Sequence, residues 1–473
     1  MITSKTMRPV LIFTALLTCA TLAFSQGGEQ SSGSVAKFTS NLARGGFLVS
    51  SGVAKHFDPI QVYCNNGPLP NALYSNQGAP YISAVVPGLP GQAATRLPAE
   101  FRLNPQEAVV LIGQTPPPAQ YFAFQLYLAD RVYPPNTAPD FLLDSLGDSA
   151  NLRTIHTMGH DPFNREVVLI FTADRGTEDS VRAALLSAGY PDATINSLVI
   201  PGPMVHFGLD ATSDALLISM RTALFKDPTA GDTYVNNPPL MVFRVTPQNS
   251  TTPKLFPVPR LRVRGTGYTE MDLVPEMAKL RQAILDKYAG YTPTEYMTQQ
   301  VANDGYDYIQ REVSSLGDTR DTLYLGAGFF PDFNLEEALT LSENDFLIVY
   351  GPNHVATGKA TYANVNAYAS ATAKMGMGSV YSPDWEGSAD AYLAGDPAAD
   401  QMYTYKISRA CGDQEPYCLK LQGPPPGTCQ GFTLGDSTLL GIGFRLYLER
   451  TANIGPAYAE ILYDRVIKFS PGP

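Results

Sequence analysis

Between residues 166 and 200 the chain reads "EVVLIFTAD", then "TEDSVRAALLSAGY", then "TINSLVI": an apolar run, an amphipathic segment and a second apolar run with almost nothing between them. The middle segment opens on Thr177 as the expected N-cap, has Glu178 and Asp179 in its first turn, and stops at Gly189. Those signals define a helix. An oxygen side chain satisfies the first free amides, acidic groups suit the positive helix end, and glycine accepts the left-handed stop. A strand, a helix and a returning strand joined this tightly pair parallel in one sheet, with the helix crossing over its face. One βαβ unit in the first half is the local structure the sequence dictates most narrowly.

Elsewhere alternation dominates, as in "YFAFQLYLA" at 121–129, "DFLIVYG" at 345–351, "QMYTYKISRA" at 401–410 and "GIGFRLYLE" at 441–449. Period-two patterning of this kind belongs to strands with two different faces. A second helix is predicted in "DLVPEMAKLRQAILDKY", where Leu273, Met277, Leu280, Ile284 and Tyr288 form one stripe before Gly290. The fold class is α+β, sheet-dominated. The stretch at 246–268 combines Pro, Thr and the cations Lys254, Arg260, Arg262 and Arg264, a composition that keeps a segment extended and exposed. It divides the chain into an N-terminal α+β domain at 46–250, a Pro/Arg-rich linker at 251–268 and a C-terminal α+β domain at 269–473. Residues 26–45 are rich in Gly, Ser and Gln and read as a disordered tail. Residues 109–129 and 346–369 share a strand, glycine loop, strand pattern, so two related halves are one reading. Recurrence of short strand patterns by composition is the other, and the unequal spacings favour it.

Lys5 and Arg8 precede an apolar run from Val10 to about Phe24, with Ala23 and Ser25 at a small-residue cleavage site. This predicts a signal peptide over 1–25 and a secreted location, extracellular or periplasmic. No later stretch approaches the roughly 20 apolar residues needed to span a bilayer as a helix. The net charge of -11 becomes -13 once the two cations of the signal are removed, which argues against a nucleic-acid partner. Four cysteines stay in the mature chain, and an even number in an oxidising compartment points to disulfides. Four thiols allow three pairings; Cys411 and Cys418 flank a Gly-Asp-rich turn and are expected to bridge the neck of a hairpin, which leaves Cys64 to Cys429. Asn249 opens the only N-x-S/T sequon.

Three copies of Leu-Gly-Asp-Ser/Thr stand at 146–149, 316–319 and 434–437. The first, with Ser149, resembles the nucleophile block of the GDSL-type (SGNH) hydrolases, secreted esterases. That resemblance implies a nucleophilic Ser149, but the family closes its triad with a C-terminal Asp-x-x-His, and this chain has none. Each copy precedes a strand, and a glycine followed by a side chain that bonds nearby amides makes a strand-entry turn. Asp148, Asp318 and Asp436 are therefore expected to shape three equivalent turns.

Two further clusters carry titratable groups. "TIHTMGHDPF" offers His156, His160 and Asp161, whose imidazoles and carboxylate suit a metal. Without a helix the two imidazoles lie about 13 Å apart, so a metal site is not favoured. "VYGPNHVATGKATYANVNAY" sets His354, Asn353 and Lys359 between two strands, a base with nearby donors. No phosphate loop or dinucleotide fingerprint is present, so no organic cofactor is implied. Two functions stay open. One is a cofactor-independent hydrolase or lyase using His354, with Asn353 or Lys359 stabilising negative charge. The other is a non-catalytic extracellular protein binding a small molecule or polysaccharide through its Tyr-rich strands.

Overall fold

The structure is a computed structural model that describes residues 33–72, 75–76, 78–159, 161–301, 304–371, 374–423, 429 and 432–472. The signal-type segment at 1–25 lies outside the described residues. Residues 33–44 form a helix, α1, where the composition suggests a disordered tail. Phe38 and Leu42, one turn apart, bury completely against Phe243 and Val245, and that docking overrides the polar flanking composition.

The first half builds one sheet from strands β1 (Phe47–Phe57), β2 (Tyr81–Val85), β3 (Glu100–Phe101), β4 (Ala108–Gln114), β5 (Ala119–Arg131), β6 (Asp140–Ser145), β7 (Ala150–Asn151), β8 (Glu166–Thr172), β9 (Ile195–Val199), β10 (Ala215–Phe225) and β11 (Leu240–Pro247). Its order is β6-β5-β10-β2-β1-β11-β4-β8-β9, with β3 and β7 paired off this path. Every pairing is antiparallel except β8 with β9, which run parallel on either side of the helix Arg175–Ala188. The N-cap of this helix is Asp174, whose carboxylate accepts from Thr177 N, so Thr177 is in the first turn and not the cap itself. Its C-cap is Gly189 at φ 99°.

Period two gives this sheet two unlike faces. Val109, Leu111, Val167, Leu169 and Phe171 enter one core with Phe122, Phe124 and Val242. Ala108, Val110, Ile112, Val168 and Ile170 enter another, under α1 and the helix Arg175–Ala188. Following the register across Ile112↔Met241, Met241↔Val53, Val53↔Val85 places Val85 on this second face. The helices cover the β4, β8 and β11 end of the face, Met241 and Val53 are exposed at its middle, and the second half packs on the face at Tyr81 and Arg221.

That second half uses two sheets, unlike the single sheet of the first. Its strands are β12 (Tyr291–Tyr296), β13 (Gln299–Gln300), β14 (Thr322–Phe330), β15 (Leu335–Glu336), β16 (Phe346–Pro352), β17 (Tyr362–Ala369), β18 (Met375–Tyr381), β19 (Met402–Ser408), β20 (Cys418–Lys420), β21 (Leu440–Tyr447) and β22 (Arg465–Pro471). Five pair as β12-β22-β16-β19-β20, and five as β13-β14-β21-β17-β18 with β15 beside β14. In β16, Leu347 and Val349 face the other sheet. Phe346, Ile348 and Tyr350 face the helix Val274–Lys287, whose predicted stripe buries Met277, Leu280 and Ile284.

The linker is extended but held at several points. Lys254 N donates to Asp174 at 2.5 Å, Arg262 N to Asp148 at 2.7 Å, and Arg264 Nη2 to Thr322 O at 3.1 Å.

Two of the three Leu-Gly-Asp copies meet at the junction of the halves. Ser145 N donates to Asp318 Oδ1 at 2.8 Å, and Ser315 N donates to Asp144 Oδ1 at 2.6 Å, so each loop gives an amide to the other's carboxylate. Gly147 and Gly317 turn both loops at φ 112° and 87°. The third copy does not belong to this pair. Its Asp436 is exposed and pairs with Arg409, and Gly435 is not among the positive-φ glycines, so the three turns are not equivalent.

Both expected disulfides are present, Cys64–Cys429 and Cys411–Cys418. The second does not close a hairpin neck, because β20 returns parallel to β19. The first carries the helix Pro59–Cys64 from the first half into the core of the second, with Tyr63 and Ile60. It spans 365 residues, whereas the other spans 7. Since a cross-link restricts the unfolded chain more as its loop lengthens, Cys64→Ser with Cys429→Ser should lower stability by about 2–5 kcal/mol and Cys411→Ser with Cys418→Ser by less, measured by denaturant titration. Equal losses would refute this ordering.

Candidate functional site

His354 sits 2% exposed, with both ring nitrogens occupied: Nδ1 lies 2.9 Å from Glu270 Oε1 and Nε2 lies 3.2 Å from Asp464 Oδ2. Burial pushes the imidazole pKa down, but the two carboxylates outweigh it and hold the pKa at about 10. The ring is a locked imidazolium, and a general base needs a free nitrogen near ambient pH. Asn353 N donates to Gln401 O, and its side chain accepts weakly from Ala356 N, closing the turn. Lys359 is fully buried and reaches Glu449 at 2.7 Å and Glu460 at 2.8 Å. Two of the three residues expected to carry catalysis instead bind the end of the linker and the residues just after it, His354 at Glu270 and Lys359 at Thr266, while Asn353 closes the turn between strands.

Ser149 is also buried. Its hydroxyl donates to Asp321, which additionally accepts from Asn151 Nδ2 at 2.7 Å and Tyr121 OH at 2.9 Å. His156 is exposed and lines the same open groove as Ser149, yet no hydrogen bond joins them. Asp161 is exposed, caps Phe163 N and pairs with Arg165, while His160 lies outside the described residues. The one group with metal-ligand geometry among the described residues is Cys411, Glu415 and Cys418, whose sulfurs are joined in a disulfide. Asn249 is exposed in the loop after β11.

Where the first sheet meets the second half, the junction leaves a cleft of about 80 Å³. Its floor follows from register. Tyr81 stands opposite Arg221, Ser83 opposite Ser219, and Leu217 opposite Tyr127, so all six side chains share one face. Leu316 and Gly317 of the second Leu-Gly-Asp loop supply part of the wall, and Leu69, Leu97, Phe141 and Leu143 line the rest with mainly apolar surface.

Arg221 is the costly residue here. It is 7% exposed, donates to Tyr127 OH at 2.8 Å, to Tyr324 OH at 3.5 Å and to Gly317 O, and packs over the Tyr81 ring. Burial pushes the Tyr127 and Tyr324 phenols upward, so both are neutral and leave the guanidinium charge uncompensated. Several other buried cations hold carboxylates, as Arg244 does Glu107, Arg131 Asp214 and Arg320 Asp148, whereas Arg102 donates to the carbonyls of Ser213 and Ala94. Among the described residues no carboxylate lies within ion-pair distance of Arg221, and its Nε has no acceptor; neither does Ser83 Oγ beside it. Leaving a buried charge unpaired costs several kcal/mol. The sequence carries a signal for it, since Arg221 is the single charge in "ALLISMRTALF", but strand patterning alone does not mark it as a site.

No protein-family model matches the chain, and no curated protein matches it. Among solved structures, an uncharacterised protein from Burkholderia cenocepacia is 10% identical over 94% of this chain and 89% of its own, with a TM-score of 0.36. A protein from Vibrio parahaemolyticus is 12% identical over 86% and 92%, with a TM-score of 0.37. Similarity at this level assigns neither fold nor function.

His354→Gln should destabilise the protein by about 3–5 kcal/mol, because it strands two buried carboxylates. The imidazole pKa is higher folded than unfolded, so its stabilisation is complete below pH 6.5 and fades as pH rises toward 10. Denaturant titrations across that range should show the alkaline slope in the wild type and a flatter one in the variant.

Proposed function

We propose that this chain is a secreted, non-catalytic binding protein that takes a small, largely apolar molecule into the cleft between its halves. The observation that carries the proposal is an apolar pocket whose floor holds a few convergent polar groups, two of them unsatisfied. Two disulfides and the signal-type N-terminus support secretion.

The hydrolase or lyase reading has weaker support. No imidazole, carboxylate, thiol or amine side chain lines the cleft among the described residues, so its serine hydroxyls have no such group beside them to activate them as nucleophiles. Polysaccharide binding through the tyrosines of the strands has less support, because Tyr121, Tyr350, Tyr362, Tyr368, Tyr403 and Tyr447 are all buried below 2% exposure, while the exposed Tyr268, Tyr291 and Tyr417 do not line the cleft. A narrow apolar cleft suits a small amphipathic molecule better than a hydrated glycan chain.

The neutral fluorophore prodan should bind the purified protein saturably, with a blue-shifted emission. Ser219→Phe, which fills the floor from a position directly opposite Ser83, should abolish that binding while leaving the circular dichroism unchanged. Undiminished binding in Ser219→Phe would remove the cleft as the site.

A further inference from the structure

If the cleft is a binding site, as proposed, the chemistry of its floor also selects the class of ligand. Arg221 brings a full positive charge to that floor with no carboxylate to balance it, and its Nε–H has no acceptor. Ser83 is 2% exposed and also lacks a hydrogen-bond partner. The pairing of Tyr81 with Arg221 and of Ser83 with Ser219 makes Ser83 and Arg221 diagonal neighbours on one face. Diagonal neighbours in a sheet lie about 7–8 Å apart, within reach of a long side chain. Two unsatisfied donors, one of them charged, can therefore serve a single group between them.

The acceptor that answers both donors is an oxyanion. A neutral carbonyl or hydroxyl would satisfy a hydrogen bond but leave the guanidinium charge buried and uncompensated. A carboxylate supplies two oxygens and the missing charge, and charge-assisted hydrogen bonds are roughly twice as strong as neutral ones. Asp318 does not fill this role from within the protein. Its oxygens already accept from Ser145 N, Ser145 Oγ, Ser315 Oγ and Gly305 N. Lys55, exposed and paired in register with Ser83, sets a second cation beside the same row on a chain whose net charge is -11. The walls at Leu69, Leu97, Phe141, Leu217 and Leu316 offer apolar contact, with Asn71 and Ser75 adding polar groups at the edge.

We infer that the cleft binds a monocarboxylate with an apolar body, its head group held by Arg221 and Ser83 and its body against the leucine and phenylalanine walls.

Three probes of one chain length test this by isothermal titration calorimetry at pH 7.5 on the full chain: octanoate, 1-octanol and octyltrimethylammonium. Octanoate should bind about tenfold or more tighter than octanol, the range expected for a hydrogen bond to a charged group, and the ammonium should bind weakest. Arg221→Met should bring octanoate down to the affinity of octanol. Ser83→Ala should weaken octanoate about fivefold, and it keeps the test open if Arg221→Met does not fold. Equal binding of octanoate and octanol, or tighter binding of the ammonium, would overturn the oxyanion assignment while leaving the cleft as a binding site. If none of the three binds, the proposed binding function itself falls.

Discussion

Two loops of nearly the same sequence, one from each half, bind each other's backbone, and the geometry between the halves follows from that exchange. Asp144 and Asp318 each accept an amide from the opposite loop, and Asp321 takes three donors from the first half. All three are buried, and burial pushes their carboxyls upward, Asp144 to about 7. A carboxylate in such surroundings is tolerated only while its donors stay in place, so the halves are held in one register more than they are simply glued. The same loop presents Gly317 O to Arg221, which ties the wall of the cleft to its floor.

Local structure is legible wherever a segment decides its own fate. The stretch from β8 through the helix Arg175–Ala188 to β9, the helix Val274–Lys287 and the turn glycines are all written in spacing and caps, and cysteine parity leads to both disulfides. Errors arise where distant segments decide. The helix at 33–44 forms because Phe38 and Leu42 find Phe243 about 200 residues away, information that flanking glycines and serines do not carry. The cleft is invisible in the sequence for the same reason. Its floor combines β5, β10, β2 and β1 in an order unrelated to sequence, and only pairing register brings Tyr81, Ser83, Ser219 and Arg221 together.

Clustering of titratable residues misleads in an instructive way. His354 and Lys359 are dense in useful chemistry because they are dense in partners: each is enclosed by two carboxylates supplied from elsewhere in the chain. A lone charge inside an apolar strand proves the more informative signal. Arg221 and Arg244 both fit that description, and the presence of Glu107 beside one but no acid beside the other separates a structural ion pair from an open site. That distinction needs three dimensions.

The bond between Cys64 and Cys429 also sets an order of events during biosynthesis. Its first sulfur emerges 365 residues before its second, on the order of 20–70 s at ordinary synthesis rates. Until the end of that interval the helix Pro59–Cys64 has neither its partner nor the complete core into which it packs, and Cys411 and Cys418 are made before Cys429. The short loop that joins those two cysteines gives them the nearer partner in each other, leaving Cys64 reduced until the last strands arrive. Closure of the long bridge is therefore a late event that seals an already assembled junction, and a chain cut short before residue 429 would carry an unpaired thiol as the chemical mark of incomplete synthesis.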